Sequence, residues 1–245
     1  MSRRSSVFHF QQFSIEQGRS AMKVCTDSCI FGAWVARHLP VGTLKVLDVG
    51  CGTGLLGFMQ VQMHPELQVV GIESDPGSFS DALYNVANSR WADRMAVYLS
   101  SWEEWKGREY DAVICNPPFF VDQLPASETR SRSARHLGTH AWQDWVSGLL
   151  GFVKPDGIIF LLLHPSAWED AARRMEKEGF MVRHKVCISQ EGKGIWRILV
   201  AFSHLEPEGM KPVNIPLYSE DGHFSDSIMD WLSDFYLENA LLQRR

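Results

Sequence analysis

Short apolar runs alternate with stretches of helical spacing along most of this chain. The runs at 44–49, 67–72, 95–99, 112–115 and 157–163 each stop at a glycine or a polar residue, the pattern of strands buried on both faces. Between them, Ile30, Phe31, Trp34 and Val35 mark a helix for which Thr26 or Asp27 is a natural N-cap. Further helices are predicted at about 55–63, 76–88, 141–152 and 166–178; Pro76 stands early in the second of these, with Phe79, Leu83 and Val86 on its apolar face. Strands near 182–188 and 197–202 are joined by a hairpin at Gly192-Lys193-Gly194. The first twenty residues are polar but carry Phe8, Phe10 and Phe13, which predicts a hooked, strand-like arm packed on the body. From Pro207 to Asp221 the chain reads as a linker or flap. Residues 224–242, with Ile228, Trp231, Leu232 and Phe235 on one face, read as a closing amphipathic helix. Alternation of strand and helix predicts a mainly parallel sheet covered on both faces, and the hairpin adds one antiparallel strand. The expected architecture is an α/β three-layer sandwich around a seven-stranded sheet.

Composition narrows the setting. The chain has 245 residues, 45% of them hydrophobic, enough for a sizeable core. A net charge of −5 and a pI of about 6.0 do not advertise a nucleic-acid binder, although a local basic face would suffice. The five cysteines, at 25, 29, 51, 115 and 187, form no CxxC pair and no Cys/His ligand spacing. That fits a reducing cytoplasm and argues against a metal site. No apolar run reaches membrane-spanning length, and Arg3-Arg4 is not followed by the apolar segment of a signal peptide. A cytoplasmic monomer without metal is expected.

Two motifs carry the chemistry. Strand 112–115 ends in Asn116-Pro117-Pro118-Phe119, and two prolines cannot continue a central strand. The chain therefore leaves the sheet with an amide side chain, free carbonyls and an aromatic ring at the edge where open α/β sheets bind ligands. An amide oxygen and a proline carbonyl are two acceptors for the two N–H donors of a planar amino group. They would aim its lone pair at an electrophile while Phe119 stacks on its plane. Taken alone, the tetrapeptide is equally a rigid turn.

The second motif is Asp48-Val-Gly50-Cys-Gly52-Thr-Gly54, a strand running through a glycine-rich turn into a helix. The dinucleotide fingerprint G-x-G-x-x-G would need its third glycine at Leu55. The spacing here is G-x-G-x-G, and Asp48 would repel a diphosphate; it suits an S-adenosylmethionine loop. Glu73 ends the next strand and can accept from both ribose hydroxyls. Ser101 and Trp102, after the third strand, stand where the adenine of such a cofactor would lie, although a buried Trp is the commoner case. The polar stretch 121–139 interleaves Arg130, Arg132, Arg135 and His136 with serines. It is a candidate for phosphate contacts, or a solvated loop.

Together, the glycine loop, Glu73 and Asn116-Pro-Pro-Phe119 resemble the S-adenosylmethionine-dependent methyltransferases that act on amino groups, with the class I fold. Phe10-Gln-Gln-Phe13, Met22-Lys-Val-Cys-Thr-Asp27, Arg132-Ser-Ala-Arg-His136 and the ending Phe224-Ser…Asp234-Phe-Tyr-Leu237 narrow this. Over nearly the whole chain the sequence is similar to the bacterial tRNA1(Val) adenine-N6 methyltransferases. The resemblance implies methylation of the adenine next to the anticodon, position 37, in tRNA1(Val). It implies cofactor contacts at Asp48, Gly50, Gly52, Gly54 and Glu73, with Thr26 beside them, and a catalytic set of Asn116, Pro117, Pro118 and Phe119. Ser101 and Trp102 join the cofactor set, and Arg130, Arg132 and Arg135 the RNA contacts, by their positions along the chain and not by the resemblance. It also implies an arm and capping helix over 1–40, a methyltransferase domain over 41–205, and a flap and helix over 206–245 packed on the same domain.

Three positions depart from the family pattern: Ser100-Ser101 where an Asp is usual, Cys25 where glycine is usual, and Gln12 where lysine is usual. Rival acceptors for the same Asn-Pro-Pro-aromatic site are a guanine N2 of ribosomal RNA and a protein glutamine amide. The amide enzymes usually carry Tyr after the prolines and a separate N-terminal helical domain. This chain has Phe119 and about forty residues before the fold.

Overall fold

The structure is a computed structural model, and it describes residues 6–117, 139–205 and 212–241. Pro118, Phe119, Arg130, Arg132, Arg135 and His136 lie outside the described residues.

The elements follow the order β1 (Val7–His9), β2 (Ser14–Glu16), α1 (Thr26–His38), β3 (Lys45–Val49), α2 (Leu55–Met63), β4 (Gln68–Glu73), α3 (Pro76–Ala87), β5 (Met95–Leu99), β6 (Tyr110–Cys115), α4 (Thr139–Leu150), β7 (Val153–Leu163), α5 (Trp168–Lys177), β8 (Met181–Gln190), β9 (Gly194–Ser203), β10 (Val213–Pro216), α6 (Asp226–Leu232) and α7 (Glu238–Leu241). The main sheet has the order β10-β8-β9-β7-β6-β3-β4-β5. Only β9 runs against its neighbours; every other pairing in this sheet is parallel.

Burial on both faces explains the apolar runs. Along β7, Ile158, Phe160 and Leu162 enter one core with α1, α2 and α6. Ile159, Leu161 and Leu163 enter the other with α4 and α5. A period of two delivers alternate side chains to opposite layers, so a strand with helices on both sides has no polar face.

The structure corrects three expectations. The seven expected strands are present, but the main sheet has eight. The extra one is β10, inside the stretch expected to be a linker or flap, which pairs parallel to β8 and covers its outer edge. Second, α1 is capped by neither Thr26 nor Asp27. Cys25 is its N-cap, with an extended backbone and no side-chain cap bond, and the Asp27 carboxylate is engaged elsewhere. Third, the closing helix is two short ones. The carbonyls exposed at the break are taken by other elements: the Gln11 amide donates to Ser233 and Tyr236, and the Gln62 amide to Asp234.

The arm is a two-stranded hairpin, as its aromatic content predicts. Phe10 stacks on Phe13, and Phe13 on Phe58 of α2 at 5.3 Å. Beyond β2 the chain is strapped to α3. Buried Asp81 accepts from the backbone N–H groups of Arg19 and Ser20, each at 2.8 Å. Lys23 donates to the carbonyls of Gln17 and Ser20, which makes it a clasp within the strap.

Candidate active site

Strand order reverses around β3: β4 lies on one side of it and β6 on the other. The crevice above such a switch point is the ligand site of open α/β sheets. Asp48 belongs to β3, Glu73 ends β4, and Asn116 follows β6. Residues far apart in sequence therefore converge on one edge.

The glycine turn leaves β3 under backbone control. The N–H groups of Gly50 and Cys51 both donate to the carbonyl of Ile72, at 2.9 and 3.0 Å. Gly50 and Gly52 have φ of 70° and 56°, the left-handed region that glycine tolerates best. A Cβ added at either would meet nothing within 4 Å, so both present bare backbone to open space. Gly54 instead backs onto the Phe58 ring, at 3.4 Å from such a Cβ. The first two leave room for a ligand to approach the backbone, and the third is a packing glycine.

Asp48 is 1% exposed, and neither carboxylate oxygen makes a hydrogen bond of good geometry to a described residue. Burial raises its pKa to about 7, the Glu73 charge adds to this, and the Gly57 amide at the start of α2 offsets part of it. A buried carboxylate offset only by a backbone amide is costly, and its chemistry suits a cation or N–H and O–H donors. Glu73 is already anchored, accepting from Gly52 N–H at 2.9 Å and from Asp75 N–H at 2.8 Å. Each oxygen keeps a lone pair for a hydroxyl donor. Beside them, the Cys51 and Cys115 thiols are pushed well up, first by burial and then by Asp48 and Glu73. They are neutral S–H groups; Cys115 donates to Val49 O at 2.9 Å.

Asn116 completes the edge. Its Nδ2 donates to Ser28 Oγ at 2.9 Å. Its Oδ1 is buried and has no hydrogen-bond partner among the described residues. A buried amide oxygen left open beside a glycine loop is an acceptor in waiting. Pro117 is buried behind it.

Residues 32–138 match the family model described as "Methyltransferase small domain". A Yersinia enterocolitica protein described as "tRNA1(Val) (adenine(37)-N6)-methyltransferase" is 32% identical over 240 residues, covering 96% of this chain and 94% of that protein. A Yersinia pseudotuberculosis protein of the same description is 31% identical, with 96% and 93% covered. The chain belongs to this methyltransferase family. Solved structures at lower identity share the fold. The ribosomal protein L11 methylase of Lactobacillus delbrueckii superposes with a TM-score of 0.55 at 17% identity, covering 78% of this chain and 84% of that one. A magnesium protoporphyrin IX methyltransferase from Synechocystis, solved with bound SAM, superposes with a TM-score of 0.53 at 18% identity, with 72% and 76% covered. The fold is the class I methyltransferase fold, and the protein is an enzyme of that kind.

The other sequence-selected positions of this methyltransferase are placed as follows. Thr26 is half-buried in the first turn of α1. Ser101 is half-buried just beyond β5, where its carbonyl accepts from Trp105 N–H at 3.1 Å. Trp102 presses its ring on α4: a Cβ added to Gly148 would lie 2.3 Å from it. The Trp102 side chain is half-buried there. Sequence reasoning missed Ser28, Asp81, Asn85 and Arg197. Asn85 is buried in α3 and makes three bonds, from Glu16 N–H at 2.8 Å, to Glu16 O at 2.9 Å and to Thr53 O at 3.0 Å. It ties the arm to the glycine loop. No local pattern signals such residues, because their distant partners lie 88 positions away for Ser28, 61 and 62 for Asp81, 170 for Arg197, and 69 and 32 for Asn85.

Proposed function

We propose that this protein is an S-adenosylmethionine-dependent methyltransferase acting on the exocyclic N6 of adenine 37 in tRNA1(Val), in the cytoplasm. The observation that carries the chemistry is the buried Asn116 Oδ1 at the switch point of the sheet, unpartnered among the described residues. The relatives' shared description carries the choice of acceptor.

The residues present fit the cofactor. Asp48 offers an uncompensated buried carboxylate to its positive charges, Gly50 and Gly52 give the backbone close approach, and Glu73 has lone pairs for ribose hydroxyls. Bound there, S-adenosylmethionine supplies a sulfonium-activated methyl group for transfer to an amino nitrogen, leaving S-adenosylhomocysteine and a proton. Asn116 Oδ1 and the Pro117 carbonyl accept hydrogen bonds from the two N6 N–H groups, which keeps the nitrogen electron-rich and fixes the direction of its lone pair. Phe119 stacks on the base, and the adenine must first leave the anticodon-loop stack to reach the pocket. Positioning and exclusion of water supply most of the rate, and no covalent intermediate is required. Arg130, Arg132 and Arg135 are proposed to meet phosphates, which would set register on the RNA.

The test is transfer of labelled methyl from S-adenosylmethionine into unmodified tRNA1(Val), with nucleoside mass spectrometry of the product. N6-methyladenosine at position 37 is the expected result. Transfer to ribosomal RNA or to a protein amide, with none to tRNA, would overturn the choice of acceptor and keep the chemistry.

A further inference from the structure

Asn116 can serve as an acceptor only if its amide presents oxygen and not nitrogen to the pocket. The two ends of an amide are nearly isosteric, so a half-turn about its last bond would offer the substrate amino group two donors. One described residue holds the inner end. Ser28 Oγ, on the first turn of α1, accepts from Asn116 Nδ2 at 2.9 Å across 88 residues of sequence. Ser28 is buried, and its hydroxyl has a second neighbour, Cys25 Sγ at 3.0 Å. Burial and the adjacent Asp27 push the Cys25 thiol up to about 11, so it is an uncharged partner. The turn carrying Ser28 is itself fixed. Arg197 Nε on β9 holds Asp27 Oδ2 at 2.9 Å, and Asp27 Oδ1 accepts from Ser28 N–H at 3.0 Å.

We infer that Ser28 is a positioning residue for methyl transfer: it anchors Asn116 Nδ2 so that Oδ1 faces the substrate amino group. A hydroxyl can donate or accept, so Ser28 satisfies Nδ2 in the productive orientation while its own proton is shared with Cys25. With Oδ1 outward, Ser28 removes the cost of leaving Nδ2 buried and unpaired, which favours that orientation before substrate arrives. The inference rests on the proposed role of Asn116.

The experiment compares wild type, Ser28→Ala and Ser28→Cys, the last keeping side-chain size while replacing a good acceptor with a poor one. For each, kcat, KM for the acceptor and the Kd for S-adenosylmethionine are measured, together with the melting temperature. The acceptor is whichever of tRNA1(Val), ribosomal RNA or a glutamine peptide the wild type methylates, so a wrong acceptor is seen separately from a wrong role for Ser28. Both variants should lose about tenfold or more in kcat, the effect of one hydrogen bond, with cofactor Kd within twofold of wild type. A kcat within twofold of wild type in Ser28→Cys would overturn the inference. So would a parallel loss of kcat, cofactor affinity and melting temperature in both variants, which would make Ser28 a structural residue of α1. A wild type that methylates none of the three acceptors would overturn this inference and the proposed function together.

Discussion

Arg197 on β9 and Asp27 on α1, 170 residues apart, form an ion pair at 2.9 Å with side chains only 15% and 8% exposed. It connects the antiparallel strand of the sheet to the turn that approaches the active site. Replacing Arg197 by Met would leave a buried carboxylate unpaired, for which a loss of roughly 3–5 kcal/mol is expected. Chemical denaturation of the two proteins measures it. Asp27→Asn in the same background should recover part of the loss, because it removes the uncompensated charge.

Asn85 couples the arm to the glycine loop through its three hydrogen bonds. Asn85→Ala should cost about 1–3 kcal/mol, since it leaves buried backbone groups unpaired. Cofactor affinity should fall as well, because Thr53 stands between Gly52 and Gly54. Denaturation and titration calorimetry on one preparation separate the two effects.

Asp48 makes the protein pH-sensitive near neutrality. Its folded pKa, about 7, lies above its ordinary value of 3.8. The folded state therefore holds a proton that the unfolded state has released, and the free enzyme loses stability as pH rises from about 4 through 7. Cofactor binding favours the ionised form, so affinity should weaken roughly tenfold per pH unit below 7. Calorimetry in buffers of different ionisation enthalpy should show proton release at pH 6 and none at pH 9. Asp48→Asn should abolish the release.

Gly52 separates strain from occupancy. An alanine there would meet no protein atom within 4 Å but would sit at a φ of 56°. Gly52→Ala should cost only about 1–2 kcal/mol of stability, yet reduce cofactor affinity by a much larger factor, because its methyl enters the ligand's space. Equal losses in the two measurements would contradict a ligand-facing Gly52.

Asn116→Ala removes the acceptor itself. A fall in kcat of about a hundredfold or more is expected, the scale for one preorganised polar group. Cofactor Kd should be nearly unchanged, since Asn116 lies across β3 from Glu73. Single-turnover methyl transfer and equilibrium binding check the two halves.

Much of this protein was legible in its residue pattern because the signals are local. The unbroken apolar run at 157–163, the glycines at 50 and 52, and the double proline after Asn116 are each read within a few residues of sequence. They settled the mainly parallel α/β architecture and pointed to one edge of the sheet for the chemistry. The extra strand β10 was not legible: its four residues include Asn214 and Pro216, and they form a strand because β8 offers an open edge. The break between α6 and α7 was hidden for a similar reason. Its apolar spacing continues, but Gln11 and Gln62 take the carbonyls from outside.

The sequence by itself determined which groups could do the chemistry: an acidic residue before a glycine turn, a second acid one strand later, and an amide ahead of two prolines. Tertiary structure alone decided their state. It buried Asp48 with no side-chain partner among the described residues, turned Asn116 Nδ2 to Ser28 and left Oδ1 unpaired among those same residues, and tied the arm to the glycine loop through Asn85. Those outcomes depend on desolvation and on hydrogen bonds between distant segments, which arise only when the sheet brings the segments to a common edge.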